Sequence, residues 1–146
     1  MGMVYAEITI KNATDAVCAR RGQVQEADIR MATVEAIADT GAATLVINEE
    51  LCKKLGLEVK GTREATLADG EKKVVKIVEP VEVHWKNRSM VCQPLVASNT
   101  GKILLGAIPL EDMDLMVDPV EQELTGKHGE EIVSILCLMQ KKPLRP

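Results

Sequence analysis

Asp39, Thr40 and Gly41 stand together after a small apolar run, Ala36-Ile37-Ala38, and are followed by Ala42 and Ala43. Those residue types in that order suit one chemistry: an ionisable acid held where little water reaches it. A carboxylate at the end of a buried strand is costly to ionise unless neighbours donate hydrogen bonds to it. Gly41 lets backbone N–H groups come close, and Thr40 adds a short donor on a stiff, β-branched stem. Asp-Thr-Gly is also ordinary turn chemistry, so these three residues alone leave a plain strand-end turn open.

Other candidate groups are fewer than the composition first suggests. His84 falls on the polar side of its run, and His128 sits in a Gly-Lys-His-Gly turn. Neither has a second His or Cys at ligand spacing, so both read as solvated, and no metal or cofactor is expected. Cys18, Cys52, Cys92 and Cys137 are far apart with no C-x-x-C pair, which reads as reduced thiols in a cytoplasmic protein. The net charge of -4 comes with both signs mixed along the chain and no basic stripe, so nucleic acid is not an expected partner. No run is long enough to span a bilayer.

The elements that would position Asp39 follow from hydrophobic period and turn residues. With 146 residues, 46% of them apolar, residues 1–146 read as one domain whose core must be built from aliphatic side chains, since Tyr5 and Trp85 are the only aromatics. Val4 to Ile10 alternates as a half-buried strand. Lys11 to Arg30 is a polar excursion, with a short helix over Asp15 to Arg21 ended by Gly22. Met31 to Ala38 is a second strand, which delivers Asp39. Thr44 to Ile47 is β-rich. Asn48 then caps a helix over Glu49 to Leu55, with acids in its first turn, lysines near its end and Gly56 as the stop. Thr62 to Ala68 and Glu71 to Val78 form a hairpin about Asp69-Gly70, a pair whose preferred turn places both residues at positive φ. Its many charges say that it projects from the surface. Val81 to Trp85 alternates, Asn87-Arg88 turns the chain, and Ser89 to Val96 returns as an edge or bulged strand because of Pro94. Ile103-Leu104-Leu105-Gly106 is a short apolar run, Pro109 to Met113 a one-turn helix, and Leu115 to Asp118 a strand that pairs with Glu121 to Thr125. Ile132 to Met139 fits a helical face or a buried strand. About nine short β-rich runs with frequent turns make an all-β domain.

Two of these motifs, in this order, resemble the retropepsin-like aspartic proteases. Ala38-Asp39-Thr40-Gly41-Ala42 looks like that family's active-site signature, and Ile103-Leu104-Leu105-Gly106 is similar to its apolar-apolar-Gly signature. Between them Leu67-Ala68-Asp69-Gly70 occupies the flap position, and the likeness runs from Val4 to Thr125. The Leu104 to Met113 stretch further resembles a group of small prokaryotic aspartyl-protease-like proteins. The resemblance implies an all-β acid-protease half-barrel with short helices, active as a homodimer. It implies that Asp39 is catalytic, that Thr40, Gly41 and Ala42 form the active-site loop, and that Ala68, Asp69 and Gly70 form the flap. Leu104, Leu105 and Gly106 would support the loop from beneath. It places the dimer-forming strand at residues 130–140, and it marks residues 11–30 as an insertion longer than in the viral enzymes.

The function implied is an endopeptidase that hydrolyses extended peptide or protein substrate with an Asp dyad formed across the dimer. A non-catalytic dimeric module that grips peptide with the same fold is the alternative, prompted by a flap tip without the viral glycines. A phosphoryl-accepting aspartate is disfavoured, because it belongs to parallel α/β folds and this chain lacks the alternating helices.

Overall fold

Alternation sets the first strand. The computed structural model describes residues 3–97 and 101–134, and its β1 (Val4–Asn12) buries Val4, Ala6, Ile8 and Ile10 while the intervening side chains face outward. The strand runs on to Asn12, whose amide ties three segments together. Its Oδ1 accepts from Asp15 N at 3.0 Å, capping α1 (Ala13–Arg20), and its Nδ2 donates to Leu55 O at 2.8 Å. The polar excursion is therefore structured: α1 starts two residues earlier than expected, and a 3₁₀ turn follows at Glu26–Asp28. Arg30 closes the segment with a two-pronged pair to Asp15 at 2.8 and 3.0 Å, and that hydrogen bonding holds the Asp15 carboxyl below its ordinary value.

The chain continues through β2 (Met31–Ala38), β3 (Leu45–Ile47), α2 (Glu49–Lys54), β4 (Val59–Thr66), β5 (Lys72–Val78), β6 (Val81–Trp85), β7 (Arg88–Cys92), β8 (Leu95–Val96) and β9 (Leu104–Leu105). It ends in α3 (Ala107–Asp112), β10 (Leu115–Asp118) and β11 (Glu123–Gly126). Nine strands form one sheet in the order β4-β5-β8-β3-β9-β2-β1-β6-β7, and β10 pairs with β11. The fold is the expected mostly-β half-barrel. Ile8, Ile10, Leu45, Ile47, Leu55, Val81, Val83 and Leu105 are fully buried in it. Each such side chain contributes roughly 1.5–3 kcal/mol of apolar burial. Asn48 Oδ1 accepts from Leu51 N at 2.8 Å and Gly56 takes φ +63 just after α2, so that helix begins and stops as its sequence dictates.

Several local expectations are corrected. At the β4–β5 tip only Gly70 has positive φ (86°), so Asp69-Gly70 is not a two-residue turn. Gly70 N donates to Leu67 O at 2.9 Å and Leu67 N to Glu71 O at 2.7 Å, which makes Ala68-Asp69-Gly70 a three-residue loop ending in a left-handed glycine. The strand expected over Ser89 to Val96 is two strands. Buried Pro94 has no N–H to extend the ladder, so β7 stays at the sheet edge while β8 crosses to lie between β5 and β3. The turn before β7 is Lys86-Asn87, and Arg88 lies inside the strand. α3 starts at Ala107, with Pro109 inside its first turn, where an N–H has no helical partner to lose. Of the Ile132 to Met139 run, residues 132–134 carry neither helix nor strand, and residues 135–139 lie outside the described residues, as does most of the expected dimer-forming segment.

Neither histidine is merely solvated. His84 Nε2 lies 3.0 Å from Glu82 Oε1, and Arg20 Nη1 donates to Glu82 Oε2 at 3.0 Å. Burial pulls the Glu82 carboxyl up, but these two partners outweigh it and leave the group below its ordinary value. His128 Nδ1 lies 2.7 Å from Asp114 Oδ2, which also accepts from Val133 N at 2.9 Å. Asp114 is likewise pulled up by burial and left lowered by those two bonds. Beside it Arg88, 3% exposed, donates to the carbonyls of Met113 (2.9 Å), Asp114 (2.6 Å), Gly129 and Glu131 (3.4 Å).

Candidate active site

Asp39 leaves β2 at the point where three strands converge. β2 pairs with β1 (Val4↔Ala38) on one side and runs parallel to β9 (Ile37↔Leu104, Ala38↔Leu105) on the other. Asp39 N donates to Leu105 O at 3.0 Å, so the last ladder bond holds the backbone of the acid itself. The chain then turns. Ala42 N donates to Asp39 O at 3.1 Å, and Gly41 N donates to Asp39 Oδ1 at 2.9 Å. A Cβ on Gly41 would stand 3.1 Å from that same oxygen, so a bare residue keeps the donor close without crowding the carboxylate.

Beneath this loop lies Gly106. A Cβ there would fall 2.4 Å from Thr44 O, 2.6 Å from Ala42 O and 2.7 Å from Thr44 N, all backbone atoms. The missing side chain lets α3 start directly under the loop. Ala107 N donates to Ala42 O at 2.7 Å and Ile108 N to Ala43 O at 2.9 Å. Two helix N–H groups that would otherwise lack partners are thus satisfied by loop carbonyls, and no side-chain cap is present or needed. Leu105 is fully buried below, while Leu104 is half-buried on the cleft side.

In the single chain the site is open. Asp39 and Ala42 are half-buried, Thr40 and Gly41 are exposed, and the Thr40 hydroxyl makes no hydrogen bond among the described residues. Two depressions flank the loop. One, of about 480 Å³, is lined by Ile37, Asp39, Thr40, Lys102, Leu104 and Val117 among others, and Asp39 is the only acid on its wall among the described residues. The other, of about 280 Å³, lies on the far side of Thr40 against Ala107, Leu110, Met116 and Val133. Exposed apolar side chains line them, Met3 in the first and Met116 and Val133 in the second, and Ile108 is exposed on α3. Ala68, Asp69 and Gly70 are exposed at the hairpin tip and line neither depression.

The structure therefore brings together Asp39, Thr40, Gly41, Ala42, Leu104, Leu105 and Gly106, and leaves the hairpin tip apart. Sequence reasoning missed Ile37 and Lys102. Ile37 had a signal: β2 carries Met31, Thr33 and Glu35 outward, so an apolar residue next on that face marks a covered spot. Lys102 had none, because its place on the wall depends on β9 lying beside β2. Among the described residues no group of three or more His, Cys, Asp and Glu is placed to hold a metal, and no helix is long and apolar enough to cross a membrane.

Comparison with known proteins agrees with this geometry. A family model described as "gag-polyprotein putative aspartyl protease" matches residues 25–112. The fold is similar to the retroviral protease-like domain of Ddi1 from Leishmania major, with TM-score 0.54 and 19% identity over 93% of this chain and 95% of that one. It is also similar to a retropepsin-like aspartic protease from Rickettsia conorii, with TM-score 0.53 and 20% identity over 80% of this chain and 77% of that one. No curated protein matches the sequence.

Proposed function

This chain belongs to the gag-polyprotein aspartyl protease family, with a retropepsin-like fold, and from that premise we propose that it is an aspartic endopeptidase whose site is completed by a second copy of itself. The observation that carries the reading is the Asp39 loop. One carboxylate, held by Gly41 N–H over a glycine-packed floor, is the only acid among the described residues on the wall of a cleft of about 480 Å³.

A single carboxylate cannot do the chemistry. When carboxyl groups alone activate water for attack on a peptide, one must take a proton from the water and another, protonated, must polarise the carbonyl. Two carboxyl groups about 3 Å apart divide these roles by sharing one proton, since both cannot ionise easily. A two-fold axis through the Asp39 loops would supply both from identical chains. The exposed Thr40 hydroxyl, without a hydrogen-bond partner among the described residues, is free to bond across that axis. Ile108, Met116 and Val133 offer apolar surface for the contact. In this reading Ala68, Asp69 and Gly70 close over an extended peptide, and residues 130–140 add to the dimer contact. We also place the protein in the cytoplasm, in keeping with the free thiols of Cys18, Cys52 and Cys92.

The test is digestion of a denatured protein and a peptide library between about pH 4 and 7, the range in which a shared-proton dyad works, by the full chain and by Asp39→Asn. Sedimentation is followed in parallel. Cleavage by a dimer, abolished by the substitution, is expected. Equal behaviour of the two proteins, or a monomer at all concentrations, refutes the reading. Peptide binding without products in both proteins would instead favour a peptide-gripping module.

A further inference from the structure

The cleft beside Asp39 has an uneven chemistry. Its wall is largely apolar, with Ile37, Leu104, Val117 and Pro119, yet one cation stands on it, Lys102. The ladder explains the placement. Ile37 N donates to Ile103 O at 2.8 Å, so the strand-like course of β9 reaches back past Leu104. Alternation then puts Ile103 and Leu105 into the core, where both are buried, and turns Lys102 and Leu104 to the cleft. Lys102 has no ion-pair partner among the described residues. Among the described residues the only carboxylate on the wall is that of Asp39, which the proposed reaction engages.

The β4–β5 hairpin carries the same sign. Residues 59–78 hold five cations and three acids in a chain whose net charge is -4. Lys72 is paired with Glu64 at 3.5 Å and Lys76 with Glu49 at 3.0 Å. Lys60, Arg63 and Lys73 have no such partner among the described residues. The element that would cover a bound peptide is thus locally positive, as is the cleft wall.

We propose that the enzyme selects peptides with a glutamate-like side chain seated in the Asp39 cleft, and that Lys102 is the residue that sets this preference. The inference rests on the endopeptidase reading. Two methylenes of such a side chain pack along Leu104 and Ile37, and its carboxylate reaches the Lys102 ammonium at the cleft wall. An all-apolar cleft would take an aliphatic residue there, and could not distinguish glutamate from glutamine by charge. An exposed cation at the rim of the cleft does both, and it rejects lysine by like-charge repulsion.

The experiment uses peptides that differ at a single position next to the cleaved bond, carrying Glu, Gln, Leu or Lys. Full-length wild type, Lys102→Glu and Lys102→Met are compared. Wild type is expected to favour Glu over Lys by roughly tenfold or more in kcat/KM, with the margin shrinking as salt is raised. Lys102→Glu should invert the order, and Lys102→Met should favour Leu. Indifference to the charge, or a Glu preference kept by Lys102→Glu, overturns the proposal. If wild type cuts none of the peptides, it is the endopeptidase reading that fails. The Kd values of the same peptides for the same three proteins, read by fluorescence anisotropy, then decide the Lys102 assignment by the same ranking.

Discussion

Replacing Gly106 with alanine tests how the site is built. Gly106 has φ −85° and ψ −173°, a conformation open to any residue. In free space the change would stabilise the fold by about 0.4–1 kcal/mol, because alanine loses less backbone entropy than glycine. Here the new methyl would stand 2.4 to 2.7 Å from three backbone atoms of Ala42 and Thr44. Methyl-to-backbone contacts of that length do not occur, so the loop must move by more than half an ångström. Overpacking of this kind costs about 1–3 kcal/mol. The move also stretches the bonds from Ala107 N to Ala42 O and from Ile108 N to Ala43 O, each worth about 0.5–1.5 kcal/mol. The strain outweighs the entropy gain, and Gly106→Ala should lose about 1–5 kcal/mol, the overpacking cost and the two strained bonds together less the gain. Urea unfolding followed by the single Trp85, at fixed protein concentration, should show the midpoint falling by about 0.5–2.5 M. Gly61→Ala is the control: its methyl meets Ile77 Cγ2 at an ordinary 3.7 Å, so its midpoint should hold or rise. Because Ala42 is bonded to Asp39, the same displacement should lower any cleavage by up to about 100-fold. A Gly106→Ala protein as stable as wild type would refute the packing argument.

Three further outcomes follow from groups away from the loop. Arg88→Met should destabilise the fold by about 3 kcal/mol or more in chemical denaturation, because it strips donors from the carbonyls of Met113, Asp114, Gly129 and Glu131. Arg88→Lys should rescue little, since a point ammonium cannot reproduce the fork. Asp15, Glu82 and Asp114 all have folded-state pKa values lowered from ordinary ones of 3.8, 4.5 and 3.8. The unfolded chain therefore binds more protons in acid, and their stabilisation is complete above those ordinary values and lost as pH falls through the lower folded ones. Thermal midpoints should stay level down to about pH 5.5 and drop below about pH 4.5, less steeply for Asp114→Asn. Burial pushes the Cys92 thiol up to about 11, so on the order of one molecule in a thousand carries its thiolate at pH 8. Mass spectrometry after brief iodoacetamide treatment of the native protein should find Cys92 unmodified.

What could be read from the residues, and what could not, divides by the range of the interactions. The alternation of β1, the Asn48 cap and the Gly56 stop are settled within a few residues of themselves, and the structure repeats them. Arg88, His128 and Asp114 depend on each other across 14 to 26 positions, and no local pattern marks any of the three. Arg88 in particular stands next to Asn87 in turn-like surroundings, and it is buried only because the turn closes one residue earlier, at Lys86-Asn87. Gly126 completes its pocket, since a Cβ there would collide with the guanidinium and with Gly129 O.

The same division separates two short stretches that look alike on paper. Asp39-Thr40-Gly41 and Ala68-Asp69-Gly70 each set an aspartate within two residues of a glycine in the turn that follows a strand. In both, the aspartate accepts a backbone hydrogen bond two residues on: Gly41 N to Asp39 Oδ1 and Glu71 N to Asp69 Oδ1, each at 2.9 Å. Both are aspartate turns of the same kind in sequence, although only Gly70 takes positive φ. They part chiefly through what the fold lays against them. The hairpin tip has nothing beneath it, and a Cβ on Gly70 would meet open space. The Asp39 loop has β9 bonded to its backbone and Gly106 pressed under it, from more than sixty positions away in sequence. An aspartate becomes a candidate for catalysis here because a distant glycine removes the loop's freedom to move, and that is why the paired motifs were informative where Asp-Thr-Gly alone was not.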